Sequence, residues 1–231
     1  MFLFSPTYLM YMIPAFILMA ITSWYVKAAY KKWSQIPAKS RLTGVQATQR
    51  LISTGGLYGV QIQGVAGEMT DHYDPRNKTL FLSNGVANST SVAALAIAAQ
   101  ELGHAMQDAE EYFPLKFRSA LVPIVNIGSN LGWFLIMIGL FLRFTELAWL
   151  GVLIFAGGAV FSLATLPVEF NASSRAKQLL AQTGIIQTDE EMRGVNNVLN
   201  AAALTYVAGL ITSILQLLYY VTLVGGGRRR D

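Results

Sequence analysis

The sequence predicts a mainly α fold: a polytopic membrane protein with about four transmembrane helices and one small α+β domain. Three observations carry this. Of 231 residues, 53% are hydrophobic and 13% charged, against roughly 25% charged in an average soluble domain. About four apolar runs reach the ~20 residues that a bilayer core demands. Between the first two runs lies a polar stretch that alternates like strands, then turns Ala-rich at helical spacing.

Composition also excludes. Cysteine is absent, so disulfides, Cys-ligated metals and iron–sulfur clusters are out. The two histidines, His72 and His104, cannot build a His-rich metal site. A formal charge of +4 fits juxtamembrane Lys and Arg and gives no nucleic-acid surface.

Residues 1–26 form the N-terminal transmembrane anchor. The run YLMYMIPAFILMAITSWYV (8–26) is uncharged and lacks a basic start and an A-x-A cleavage site, which marks an uncleaved anchor and not a signal peptide. Pro14 is a candidate bend. Lys27, Lys31, Lys32, Lys39 and Arg41 follow at once. By the positive-inside rule they hold the downstream side in the cytoplasm and leave the N-terminus outside.

Residues 27–118 form a cytoplasmic α+β domain. Residues 42–57 have helical spacing through Val45, Leu51 and Ile52, with Thr43 as N-cap and Gly55-Gly56 as stop. VQIQGVAG (60–67) alternates like a short strand. TDHYDPRNK (70–78) reads as turn and loop, punctuated by Pro75 and Asn77. TLFLSN (79–84) reads as a second strand closed by Gly85, with a free edge to which an extended substrate adds by backbone pairing. Ser89 and Ser91 offer N-caps for a helix over 91–108.

Residues 119–231 carry the remaining spans, about 121–142, 147–168 and 201–224. Asn126, Ser129 and Asn130 make the second span partly polar and turn it toward other helices. A break at 143–146 pairs the second and third spans antiparallel. Residues 168–183 continue as a helix that Gly184 ends, and 189–197 is polar and helical in character. Four spans place 27–118 and 169–200 on one side, where Lys116, Arg118, Arg175, Lys177 and Arg193 join the early cations. The other side has Arg143 and Arg228 to Arg230, the latter working against the assignment. The balance favours a multi-pass inner or plasma membrane protein with this domain in the cytoplasm.

The chemistry sits on the helix over 91–108. Gln100 and His104 are four apart and share a face, with Glu101 on the flank. With His at 100 this would read H-E-x-x-H, in which two imidazoles bind zinc and the Glu handles the water. The sequence instead reads Gln-Glu-Leu-Gly-His. Gly103 suits a close approach of another backbone. Glu169, after Pro167 at a membrane helix end, is costly there unless paired or metal-bound. Arg175 and Lys177 are off its i+3 and i+4 face.

Several ordered blocks carry a resemblance: LTG, DHYDPR, LS, AAxExGHAxQ, PLKFRSALVP, TLPVEFNASSRA and ALTYVA. Over nearly its whole length the chain resembles the bacterial membrane neutral zinc metallopeptidase type 2 family, the YugP-like proteins. The resemblance implies a small gluzincin embedded in the membrane, similar in layout to the HtpX-type and CAAX-processing peptidases. It implies His104 as the second zinc ligand, Glu169 as the third, and Glu101 as the base and then the acid for metal-activated water. Gln100 stands where the first His is expected. An amide oxygen is a weak neutral ligand beside imidazole, so zinc is expected to be weakened or absent and the chain inactive or impaired.

Other readings stand beside these. His72 belongs to the DHYDPR block; it is either a hydrogen-bond donor to substrate or oxyanion, or structural. Asn171 either orients a ligand or, like Ser173 and Arg175, makes local hydrogen bonds on a helix surface. Tyr206 is a membrane-interface tyrosine or an oxyanion donor. Expected partners are a peptide or membrane-protein substrate and the lipid bilayer, with a homo-oligomer or a membrane partner open. The rival function is a non-catalytic pseudopeptidase that holds a membrane or peptide partner. A transporter is disfavoured because the spans lack paired intramembrane charges.

Overall fold

A computed structural model describes residues 5–226, so the expected arginines at 228–230 lie outside the described residues. The elements are α1 (Pro6–Ser34), α2 (Gly44–Gly55), β1 (Gln61–Val65), β2 (His72–Asp74), β3 (Thr79–Ser83), α3 (Asn84–Ala87), α4 (Val92–Ala109), α5 (Phe113–Phe141), α6 (Thr145–Phe155), α7 (Gly157–Gln182) and α8 (Asp189–Gly226). The protein is mainly α with a small mixed sheet. Among the described residues, four helical stretches are long and apolar enough to cross a membrane: Pro6–Ser34, Phe113–Phe141, Thr145–Gln182 and Asp189–Gly226. The shorter two have 29 residues, or about 43 Å of helix against a ~30 Å hydrocarbon core.

The chain forms two compact units. One draws on Met1–Ser23, Lys116–Leu166 and Thr205–Asp231. Its core gathers Ile136, Ala148, Val152, Tyr219, Tyr220 and Val224. The expected pairing of α5 with α6 is present and is built on small residues. A Cβ on Gly139 would lie 2.5 Å from the Ala148 nitrogen, and one on Gly151 would lie 2.6 Å from the Ile136 nitrogen. Such backbone proximity is how helices associate where no hydrophobic difference drives them together.

The spans expected at 147–168 and 201–224 lie within longer helical stretches. The third begins at Thr145, is interrupted at Ala156, and resumes through α7 to Gln182. Gly157 and Gly158 supply the weak point, since glycine loses the most entropy in a helix. The fourth belongs to one continuous helix from Asp189. Thr188 caps it reciprocally with Glu191: the Glu191 N–H donates to Thr188 Oγ1 at 3.3 Å, and the Thr188 N–H donates to Glu191 Oε2 at 3.0 Å. Its acidic first turn also suits the helix dipole.

The other unit comprises Trp24–Leu115 and Pro167–Leu204. Its core packs α2, the sheet and α4 with the ends of α7 and α8 and the link between them, through Leu51, Leu80, Leu82, Leu95, Leu102, Leu180, Ile185 and Leu199. Thr43 caps α2 with a full capping box to Gln46, and Gly56 ends the helix at φ 68°. Strand order is β1-β3-β2, with β1 parallel and β2 antiparallel to β3.

This corrects two expectations. Residues 72–74, read as loop, form β2, with His72 opposite Phe81, Tyr73 opposite Leu80 and Asp74 opposite Thr79. Only the residues after Asp74 make the turn. There the Asp74 carboxylate accepts from the Arg76 N–H at 2.9 Å and from Asn77 Nδ2 at 3.1 Å. And β3 is central, so it has no free edge; the open edges belong to β1 and β2.

Candidate functional site

Helix α4 starts at Ser91, whose side chain accepts from the Ala94 N–H at 3.2 Å. It is buried along most of its length. Gly103 lets the α7 backbone come close: a Cβ there would lie 2.6 Å from the Ala172 carbonyl oxygen. This contact sets Glu169 of α7 opposite Gln100 and His104, so the geometry brings together the residues that the sequence placed 65 or more positions apart.

Glu169 is buried, with 4% of its surface exposed. Its Oε2 lies 3.5 Å from His104 Nε2 and 3.4 Å from Gln100 Nε2. Gln100 Oε1 accepts from Ser173 Oγ at 2.9 Å. On the far side of the imidazole, His104 Nδ1 is 3.1 Å from Gln107 Oε1. The fully buried Gln107 commits its Nε2 to Val168 O at 2.8 Å and Asn171 Oδ1 at 2.9 Å. Its Oε1 can therefore only accept, which places the His104 hydrogen on Nδ1 and turns Nε2 to Glu169. Asn171 Oδ1 also accepts from Arg175 Nε at 2.7 Å, and Arg175 grips Glu110 with both terminal nitrogens at 2.7 and 2.6 Å.

The charges follow from this geometry. Burial opposes the His104 imidazolium, but the Glu169 contact and the charges of Glu101 and Glu169 outweigh it and hold its pKa above the ordinary value. The Glu169 contact therefore favours a second proton, on Nε2. Burial pushes Glu101 up to about 7; His104 pulls it down, while Glu169 and Asp71 push it up. Asp71 is itself fixed by the Ser83 N–H at 2.7 Å and Ser83 Oγ at 3.0 Å.

Two other expected residues sit differently. His72 is exposed on β2, stacked on Phe81 at 4.8 Å between ring centroids, with Nδ1 2.8 Å from Thr70 O. That bond leaves Nε2 of a neutral ring an acceptor, so an oxyanion role requires the imidazolium. Tyr206 stands on α8 in the other unit, 37% exposed. Sequence reasoning missed Gln107, although it lies three residues after His104 on the same helix face. It also left Ser173 and Arg175 as surface residues, where the structure gives them partners in the cluster.

A catalytic zinc takes three protein ligands at about 2.0–2.2 Å in a tetrahedral set, whose edges are then roughly 3.3 Å. The separations of 3.5 and 3.4 Å about Glu169 match such edges better than they match good hydrogen bonds. The donor set does not match. At position 100 a hydrogen-bond donor faces the cluster, and among the described residues no three His, Cys, Asp or Glu side chains are gathered to hold a metal. One imidazole, one carboxylate and an amide that donates into the cluster are not a donor set that suits zinc.

A membrane protein with an E-x-x-H helix set against a buried glutamate from a later helix falls in the class of membrane metallopeptidase scaffolds. The chain belongs to a family described as "Putative neutral zinc metallopeptidase", which matches residues 8–225. It is 42% identical over 203 residues to the "Putative membrane protease YugP" of Bacillus subtilis (strain 168), covering 88% of this chain and 90% of that relative. No solved structure matches it.

Proposed function

We propose that this chain is a membrane metallopeptidase by descent that retains a polypeptide-binding site on its cytoplasmic face and hydrolyses peptide bonds weakly or not at all. The observation that supports this is the orientation of Gln100. Its carbonyl is taken by Ser173 and its NH2 faces Glu169, so both polar groups of the Gln100 amide are engaged by protein neighbours. Glu101 retains a carboxyl poised near 7, the range suited to a general base. What this chain lacks is the third strong ligand.

A second reading is favoured by the same closed cluster: a pseudopeptidase whose role is to hold a peptide or membrane-protein partner. The two differ at Glu101. If residual hydrolysis matters, Glu101→Gln abolishes the cellular role; if holding matters, it leaves that role intact.

The deciding experiment is zinc content and peptide hydrolysis of the detergent-purified chain beside Gln100→His. The variant is expected to carry about one zinc and the parent far less than one, with hydrolysis appearing only in the variant. About one zinc in the parent overturns the assignment of Gln100. No zinc in either overturns the assignment of His104 and Glu169.

A further inference from the structure

The first 67 residues contain six Lys or Arg and no Asp or Glu; the first acid is Glu68. Three of the cations, Lys27, Lys31 and Lys32, lie on α1 after a helical run with no charge at all. All three are exposed, and Trp24 just before them is 69% exposed. At about 100° per residue, Trp24, Lys27 and Lys31 fall within roughly 60° of arc. The opposite face carries Ala29 and Trp33, which are buried, Trp33 through a 2.9 Å bond from Nε1 to Asn197 Oδ1. The lysines are therefore held outward by the packing of α1. Among the described residues, none of the three pairs with a carboxylate. Lys32 lies 4.9 Å from the centroid of the Trp33 ring.

We infer that this end of α1 is a docking site for anionic phospholipid headgroups. The dimensions agree. Lys27 to Lys32 covers about 7.5 Å along the helix, close to the roughly 5–7 Å headgroup layer on each side of the hydrocarbon. Trp24, one turn earlier, sits where an indole bridges acyl chains and headgroups. The ammonium groups then donate to phosphate oxygens, and the nearby Lys39 and Arg41, both exposed, add to the field. A zwitterionic lipid offers the same phosphate together with a cation that this patch repels.

The test is a lipid titration of the full chain in detergent, which removes membrane orientation from the measurement, read by native mass spectrometry. The probes are phosphatidylglycerol and phosphatidylcholine of identical acyl chains, with glycerol phosphate as the soluble headgroup. Each juxtamembrane cation is worth about fivefold in affinity. Phosphatidylglycerol is therefore expected to bind at least tenfold tighter than phosphatidylcholine. The triple variant Lys27→Gln, Lys31→Gln, Lys32→Gln is expected to lose that preference, and the triple Lys→Arg variant to keep it. Lys78→Gln, at an exposed turn of the sheet, is expected to change nothing. Equal binding of the two lipids, or a preference that survives the triple Gln variant, overturns the proposal. So does glycerol phosphate competing as strongly as the lipid, since the site would then be a simple anion site.

Discussion

Replacing Gly103 by Ala tests the contact on which the site depends. The added methyl carbon would lie 2.6 Å from the Ala172 carbonyl oxygen and 3.2 Å from its carbonyl carbon and Cα. A carbon settles against a carbonyl oxygen at roughly 3.3 Å, so α4 and α7 must part by about 0.7 Å. Both partners are helix backbone, and no rotamer change relieves the clash. Overpacking of this kind costs about 1–3 kcal/mol, which lowers Tm by about 3–10 °C in a protein of this size. The same displacement acts on the 3.5 Å separation of His104 from Glu169 and moves it past ion-pair range. In a Gln100→His background, zinc affinity should therefore fall at least tenfold, because a zinc site tolerates only ~0.2 Å in ligand distance. Thermal unfolding in a fixed detergent and zinc titration read the two effects. Gly209→Ala is the control: nothing lies within 4 Å of its added carbon, and Ala favours the helix. A Gly103→Ala variant that matches this control in both readouts refutes the close-contact argument.

Three further outcomes follow from the same geometry. Glu101 titrates near 7 in the folded chain against 4.5 as its ordinary value, so the folded state keeps a proton that the unfolded state releases between them; its stabilisation is full below about 4.5 and lost as pH rises through 7. The span is at most ~3 kcal/mol, less because the carboxyl is partly exposed, and Glu101→Gln should flatten the Tm-against-pH curve between pH 5 and 7.5. Glu191→Ala strands the N–H groups of Lys39, Gln187 and Thr188, which now donate to its carboxylate at 2.6, 2.7 and 3.0 Å, and should cost about 2–4 kcal/mol in unfolding measurements; Glu191→Gln should recover part of it. Gly151→Leu should force α5 and α6 apart, since even a Cβ there meets Ile136 N at 2.6 Å, and should lower Tm by more than Gly103→Ala because the whole side chain is added.

Much was legible in the sequence because the responsible physics is local or one-dimensional. Uncharged runs of bilayer length gave the spans, since hydrocarbon excludes charge whatever the neighbours are. Thr43 and Ser91 marked helix starts because a capping oxygen bonds an N–H two or three residues on. The i, i+4 spacing put Gln100 and His104 on one face. Tertiary structure decided the rest. The three residues of β2 carry little signal of their own; pairing with β3 makes them a strand, and the same pairing removes the free edge that β3 alone offered. That Glu169 meets His104 depends on Gly103 and Ala172 touching across two helices, a contact no periodicity encodes. Gln107 reads in sequence as one more polar helix residue. Only the fold surrounds it with Val168, Asn171 and His104. A buried amide must then spend every donor and acceptor on a neighbour, so its orientation, and with it the tautomer of His104, is fixed by residues more than 60 positions away.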